Sequence, residues 1–298
     1  MSEKLSNDLN IFNSLAQSLI KDEERGVVNQ IDPKELLKIF NISLEENPIS
    51  DEELKESLNH LILNTPKTSG NLFFNQLFGG LNSKAVLGDL LAVILNNSMA
   101  TYKISGPMVE IEKEIIRKIA AMISYPETSA GTIPTGGSMS NFMALVMARD
   151  KKNPESKYSG DSNKLICYSS RSSHYSMDKN ASFSGIGRDN VRYIDTNKKG
   201  EMISSEITVQ IEEDIKNGLT PFFINATIGT TVMGAIDPII EIAEICKKYN
   251  IWLHLDGAYA GSVIFSEKYK HLVKGIELSD SFCFNPHKTL GCPISTSI

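Results

Sequence analysis

"PFFINATIGTTVMGAIDPIIEIAEICKKYNIWLHLD", Pro221 to Asp256, is the stretch whose reading decides the fold. An apolar, β-prone run at 221–227 gives way to helical periodicity at 237–249. A second apolar run follows at 251–256. Strand, helix, strand over this length is a βαβ unit, whose strands lie parallel with the helix on one face. The same rhythm extends both ways. "KLICYS" (164–169), "VRYI" (191–194) and "SFCFN" (281–285) read as further strands, and 138–150, 174–182 and 204–217 as helices. The runs are nearly continuous in apolar residues, as strands covered on both faces are. The expectation is an α/β domain with a mainly parallel sheet.

Before residue 130 the pattern is helical. Met108, Ile111, Ile115, Ile119 and Met122 form one stripe and are expected to be core. In the first 70 residues, Leu9, Ile11, Phe12, Leu15 and Leu19 gather near one side of a helix. Asp32 with Pro33, and Ser50 before "DEEL", carry helix-start chemistry. The expected organisation is a helical N-terminal arm over 1–85 and a large domain over 86–298. The stretch 151–163 reads as a loop.

The formal charge of −6 disfavours nucleic acid and anionic membrane, which both want basic surface. The N-terminus lacks the apolar region of a secretory signal, and the longest apolar run, Leu90 to Leu95, is too short to span a bilayer. Four cysteines lack C-x-x-C spacing and five histidines are scattered, so no metal site is expected. Cys167 and Cys283 read as reduced core thiols, and a cytoplasmic location is the simplest expectation.

In parallel sheets, ligands gather at the carboxyl ends of the strands. Asp256 closes one strand, with Gly257 and Ala258 leaving room above it. Thr227 closes another, His174 follows the run at 164–169, and His287 and Lys288 follow "SFCFN". "PTGGSMSN", Pro134 to Asn141, adds glycines and the Ser138 hydroxyl at a helix start, the chemistry of a phosphate cup. It fits neither G-x-G-x-x-G nor the Walker A spacing. A phosphate cup, a strand-end acid, an imidazole and a lysine together suit pyridoxal 5'-phosphate. The lysine attaches the aldehyde, the acid keeps the ring nitrogen protonated, and the imidazole can stack on the ring.

"NPHKTLGCP", "WLHLDGAYAGS", "INATIGTTVMGAIDPI", "TGGSMSN" and "FFNQLFGG" together resemble the group II pyridoxal-phosphate-dependent amino-acid decarboxylases. The resemblance runs from about Asn71 to the last residue and leans to the glutamate and cysteine-sulfinate branch. It implies the aspartate-aminotransferase-like fold (fold type I) and a homodimer. It also implies decarboxylation of a small acidic L-amino acid through a Lys288 aldimine. By the same resemblance, Asp256 pairs with the pyridinium nitrogen and Ala258 lies against the ring. His174 stacks on the opposite face and assists proton transfer. Gly137 and Ser138 hold the phosphate, Thr227 touches the cofactor, His287 lies beside Lys288, and Gln76 approaches the substrate.

The resemblance also implies a C-terminal part beyond Ile298, including a small domain with a substrate-binding arginine and a mobile tyrosine loop. The closing "GCPISTSI" resembles the start of a further strand. Two alternatives stay open at this point. One is a different pyridoxal-phosphate reaction on the same fold. The other is an inactive truncated chain that serves as a binding or partner module.

Overall fold

The computed structural model describes residues 2–21, 26–27, 31–32, 34–35, 39, 47–75, 77–160, 164–294 and 296–298. The chain divides into two compact units, residues 1–80 and 81–298. The first contains helices α1 (Ser2–Lys21) and α2 (Asp51–Asn64). Ser50 starts α2 with a reciprocal capping box. Its Oγ accepts from Glu53 N at 3.2 Å, and Glu53 Oε2 accepts from Ser50 N at 2.8 Å. The Ser50 N–H and hydroxyl, both donating to Oε2, hold the Glu53 carboxyl below the usual range. Asp32 Oδ1 accepts from Lys34 N at 2.9 Å, as a cap does, while Pro33 lies outside the described residues. On α1, Leu15 is buried whereas Leu9 and Phe12 stand exposed.

The second unit opens with α3 (Ser83–Leu95), a helix that contains the apolar run Leu90 to Leu95. Asn82 Oδ1 accepts from Lys84 N and Ala85 N, and Asn96 ends the helix in the left-handed conformation. Helix α4 (Met108–Met122) carries the stripe expected to be core. That expectation fails for most of it. Only Ile119 is buried, and Ile111, Ile115 and Met122 are exposed. The physical reason is that periodicity marks which side of a helix is apolar, not whether the same chain covers it. The loop expected at 151–163 also needs correcting, because helix α5 (Gly137–Lys152) runs into it and a one-turn helix occupies Ser156–Ser159.

Among the described residues the sheet has five strands: β1 (Leu165–Ser170), β2 (Val191–Ile194), β3 (Thr220–Thr227), β4 (Trp252–Gly257) and β5 (Ser281–Phe284). Their order is β2-β1-β3-β4-β5, and all four pairings are parallel. Helices α6 (Ser176–Phe183), α7 (Ser204–Lys216) and α8 (Ile239–Tyr249) fill the crossovers. The predicted strands and helices of this domain are thus present, within a few residues at their ends.

Side chains alternate across the sheet, and the two faces differ. Ile166, Tyr168, Ile224, Ala226, Leu253 and Leu255 join one core with Ile207 and Ile211 of α7 and Ile239 and Ile242 of α8. Leu165, Cys167 and Phe223 join a second core with Ala144, Leu145 and Ala148 of α5 and Met177 of α6. The second face also carries the polar residues. Register aligns Ser169, Asn225, His254 and Ser281 in one row, and Thr227, Asp256 and Cys283 in the next toward the carboxyl ends.

Close approach of backbone at the β4 exit requires Gly257. A Cβ there would lie 2.6 Å from Phe282 Cε2 and 2.8 Å from the Cys283 carbonyl oxygen. Gly257→Ala is therefore expected to lower the unfolding free energy by about 2 kcal/mol, read as a lower urea midpoint at unchanged slope. An unchanged midpoint would mean that the strand pair yields without cost. At the edge strand β5, Phe284 and Ile298 exchange both backbone hydrogen bonds at 2.9 Å, an antiparallel pair made by the last residue.

Candidate active site

A cavity of about 480 Å³ opens where the β3, β4 and β5 carboxyl ends meet the start of α5. Helix α5 begins at Gly137 with Gly136 as its cap, at φ 132, and no side chain caps it. The first N–H groups of a helix have no partner inside it, and Gly136, Gly137 and Ser138 line the cavity, an arrangement chemically able to take an anion. Gly137 is buried, and a Cβ on it would lie 3.0 Å from Asn285 Nδ2 and 3.1 Å from Ala258 Cβ. Ser138 lies exposed on the same rim.

Asp256 lies between Thr227 and Cys283 in the row nearest the carboxyl ends and is buried at 3% exposure. Its Oδ1 accepts from Ala258 N at 3.0 Å, and its Oδ2 accepts from Asn141 Nδ2 at 2.8 Å. Ala258 reaches the cavity beside it. Thr227 is paired with Asp256 across the strands. Its N–H donates to Asp237 Oδ2 at 2.7 Å, and Asp237 Oδ1 accepts from Met202 N at 2.7 Å. Burial pushes the Asp237 carboxyl up to about 6, against the pull of those two N–H groups. The Thr227 hydroxyl is buried without a hydrogen-bond partner among the described residues. A buried hydroxyl so left is costly, and here it borders the cavity.

Lys288 and His287 lie on a one-turn helix, Pro286–Thr289, directly after β5. That turn is pinned from several sides. Lys288 N donates to Asn285 O at 3.0 Å, Asn285 Oδ1 accepts from Ser297 Oγ at 2.7 Å, and His287 Nδ1 donates to Thr296 O at 2.7 Å. Ser297 Oγ also lies 2.7 Å from Ser140 Oγ on α5. Burial lowers the Lys288 amine below the ordinary lysine range, opposed by the charge of Asp256.

His174 stands between β1 and α6 and borders the cavity. Burial lowers its imidazole below the ordinary histidine range, against the pull of Asp256. Its Nδ1 accepts from Ser176 N at 3.2 Å, which leaves Nε2 to carry the ring proton.

The structure thus brings Gly137, Ser138, His174 and Thr227 to one cavity with Asp256, Ala258, His287 and Lys288. Gln76 lies outside the described residues. Sequence reasoning passed over Asn141, Asn285 and Asp237. Asn141 sits inside the "GGSMSN" stretch, but its partner Asp256 is 115 residues away and no spacing rule links them. Asp237 reads as an ordinary acid just before a helix.

The chain matches the pyridoxal-dependent decarboxylase conserved domain over residues 33–298. It is 37% identical over 268 residues to the cysteine sulfinic acid decarboxylase of Rattus norvegicus, covering 89% of this chain and 54% of that protein. It is 38% identical over 260 residues to the acidic amino acid decarboxylase GADL1 of Bos taurus, covering 87% of this chain and 50% of that one. The crystal structure of mouse CSAD superimposes with a TM-score of 0.94 at 34% identity, over 98% of this chain and 63% of that structure. The chain spans about half the length of the curated relatives it matches. With a parallel sheet, a glycine-rich uncapped helix start, and a lysine and a buried acid on neighbouring strand ends, the chain belongs to the pyridoxal-dependent decarboxylase family.

Proposed function

We propose that this chain carries the cofactor-binding and reacting half of an enzyme that removes the α-carboxylate of a small acidic L-amino acid as carbon dioxide, leaving the amine. The observation that carries the reading is the placement of Lys288 and Asp256 at adjacent strand ends, facing one cavity with the uncapped start of α5. The residues present fit pyridoxal phosphate. The N–H groups of Gly137 and Ser138 suit a phosphate, the unpartnered Thr227 hydroxyl supplies one more polar contact, and buried Asp256 suits a protonated ring nitrogen. When bound, the cofactor supplies an electron sink for the pair left behind as carbon dioxide departs.

The chain's own residues have separate tasks. Lys288 holds the cofactor through its amine, and its lowered proton affinity makes the neutral nucleophile available at lower pH. Asp256, braced by Ala258 N and Asn141, keeps the ring nitrogen protonated. Neutral His174, with its proton on Nε2, would lie against the ring, placed to hold or pass a proton. Ala258 would bound the other side of the ring, and His287 stiffens the turn that bears Lys288.

Borohydride reduction of the pyridoxal-phosphate-treated chain, followed by peptide mapping, is expected to tag Lys288. A tag on Lys270 or Lys274 instead would overturn the assignment. The rate of cofactor attachment is expected to rise with pH through a midpoint below the ordinary lysine value of 10.5, because burial favours the neutral amine. A midpoint at the value of a free lysine would contradict the geometry. Cysteine sulfinate, aspartate and glutamate are expected to outrank diaminobutyrate and aromatic amino acids. The support is the naming of the relatives for cysteine sulfinic acid and acidic amino acids. Preference for an aromatic substrate, or a keto acid or aldehyde as product, would overturn it.

The same reading includes a cytoplasmic homodimer. Four cysteines without a disulfide support a reducing location, and among the described residues no helix is long and apolar enough to cross a membrane. The dimer is supported by exposed apolar side chains on α3 and α4, including Leu91, Val93, Ile111 and Met122. Light scattering is expected to give twice the chain mass, and Val93→Glu with Ile111→Glu is expected to return the monomer. A monomeric wild type would remove this part of the proposal.

A further inference from the structure

The brace on Asp256 continues beneath it across the sheet. Trp252, the sole tryptophan of the chain, stands two residues before His254 and four before Asp256 on β4, so all three point toward α5. Four hydrogen bonds join them through Ser281 and Asn141. Trp252 Nε1 donates to Ser281 Oγ at 2.8 Å, and Ser281 Oγ lies 2.8 Å from His254 Nδ1. His254 Nε2 lies 3.0 Å from Asn141 Oδ1, and Asn141 Nδ2 donates to Asp256 Oδ2 at 2.8 Å.

Both ends of this chain of contacts have a fixed sense. An indole nitrogen only donates and a carboxylate only accepts. Asp256 therefore turns the amide nitrogen of Asn141 toward itself, which leaves Oδ1 facing His254. An amide oxygen only accepts, so His254 carries a proton on Nε2. The imidazole is 1% exposed, and burial drives its proton affinity well below the usual histidine range, so it is neutral. Its Nδ1 is then bare and accepts the Ser281 hydroxyl proton. Ser281 in turn accepts the indole N–H. Cys283 reinforces this order, because its Sγ also donates to Asn141 Oδ1 at 3.2 Å, and the second Asn141 Nδ2 proton goes to Ser176 Oγ at 3.2 Å. No buried polar atom of Asn141 is left over.

From this geometry we infer that Trp252, Ser281, His254 and Asn141 form a one-way hydrogen-bond relay that positions Asp256 as an acceptor for the cofactor ring. These are positioning residues acting through Asp256. The inference rests on the reading that Asp256 faces the ring nitrogen, and its test is arranged so that the two can fail separately.

The first measurement needs no cofactor. Nitrogen NMR of the histidine-labelled 298-residue chain at neutral pH is expected to show His254 with Nε2 protonated and Nδ1 bare. In Ser281→Ala the Nδ1 resonance is expected to move to higher frequency as its donor is lost, and in Ser281→Thr to stay in place. A proton on Nδ1, an imidazolium, or an Nδ1 signal indifferent to Ser281→Ala would overturn the relay. The second measurement is titration with pyridoxal phosphate. Ser281→Ala is expected to weaken binding about tenfold, since it leaves the indole N–H and the imidazole Nδ1 without partners, while Ser281→Thr restores it to within about twofold. Equal affinity in all three chains, or equal loss in both variants, would overturn the positioning role. If the wild type binds no pyridoxal phosphate, the function proposed above fails, and the nitrogen signals still decide the relay.

Discussion

Lys288→Ala is expected to abolish covalent capture of pyridoxal phosphate and to cut decarboxylation by at least about a thousandfold, roughly 4 kcal/mol in the barrier. Lys288→Arg is expected to fail as badly, because a guanidinium does not give up its proton to become a nucleophile. The loss is not expected to come from unfolding. Burial lowers the Lys288 pKa, so the folded chain binds that proton more weakly than the unfolded chain does. The resulting penalty is present below the folded pKa and is relieved as pH rises toward the unfolded value. Removing the amine therefore leaves stability at neutral pH unchanged or slightly raised. Carbon dioxide release, borohydride tagging and a urea unfolding curve separate these effects. Partial rescue of Lys288→Ala by an added small primary amine is also expected. A variant that turned over within tenfold of wild type would overturn the role of Lys288.

Asp256→Asn is expected to lower turnover on the order of a thousandfold while cofactor affinity falls far less, by about tenfold. An amide cannot keep the ring nitrogen protonated, so the electron sink weakens although Lys288 can still attach the aldehyde. The substitution also disturbs the brace. Asp256 accepts from Ala258 N on one oxygen and from Asn141 Nδ2 on the other. An asparagine there turns an NH₂ toward one of those donors, and donor then meets donor. That conflict is expected to cost about 1–3 kcal/mol of stability. Turnover and absorbance titration, read beside the urea midpoint, distinguish chemistry from folding. Normal turnover would sink the pyridinium assignment.

The large domain was legible because its strands are buried on both faces. Each of 164–169, 221–227 and 251–256 had to be a short apolar run, and the intervals between successive strands had room for helices. The site was partly legible for a topological reason. Residues that close parallel strands share one end of the sheet, so Thr227, Asp256 and Lys288 could be grouped before any distance was known. The glycine pair before α5 was readable because an uncapped helix start needs a backbone that can approach its ligand.

Other features had no local signal. The stripe on α4 has the period of a core helix, yet most of it is exposed, because amphipathicity does not name its partner. Asn141 reads as an ordinary helix residue, and its importance comes from Asp256 and His254, more than 100 positions away. His254 and Trp252 look like strand core residues. Only the register that places His254 beside Ser281 turns them into donors and acceptors with a direction.

By itself, then, the sequence determined the alternation of strands and helices, the end of the sheet where chemistry gathers, and the lysine and acid types that serve it. These follow from backbone periodicity and from the short-range chemistry of caps and strand ends. Tertiary structure alone decided which polar side chains meet, which proton each one carries, and which apolar faces stay uncovered. Those depend on contacts between residues far apart in the chain, where spacing carries no information and only packing and register bring donor to acceptor.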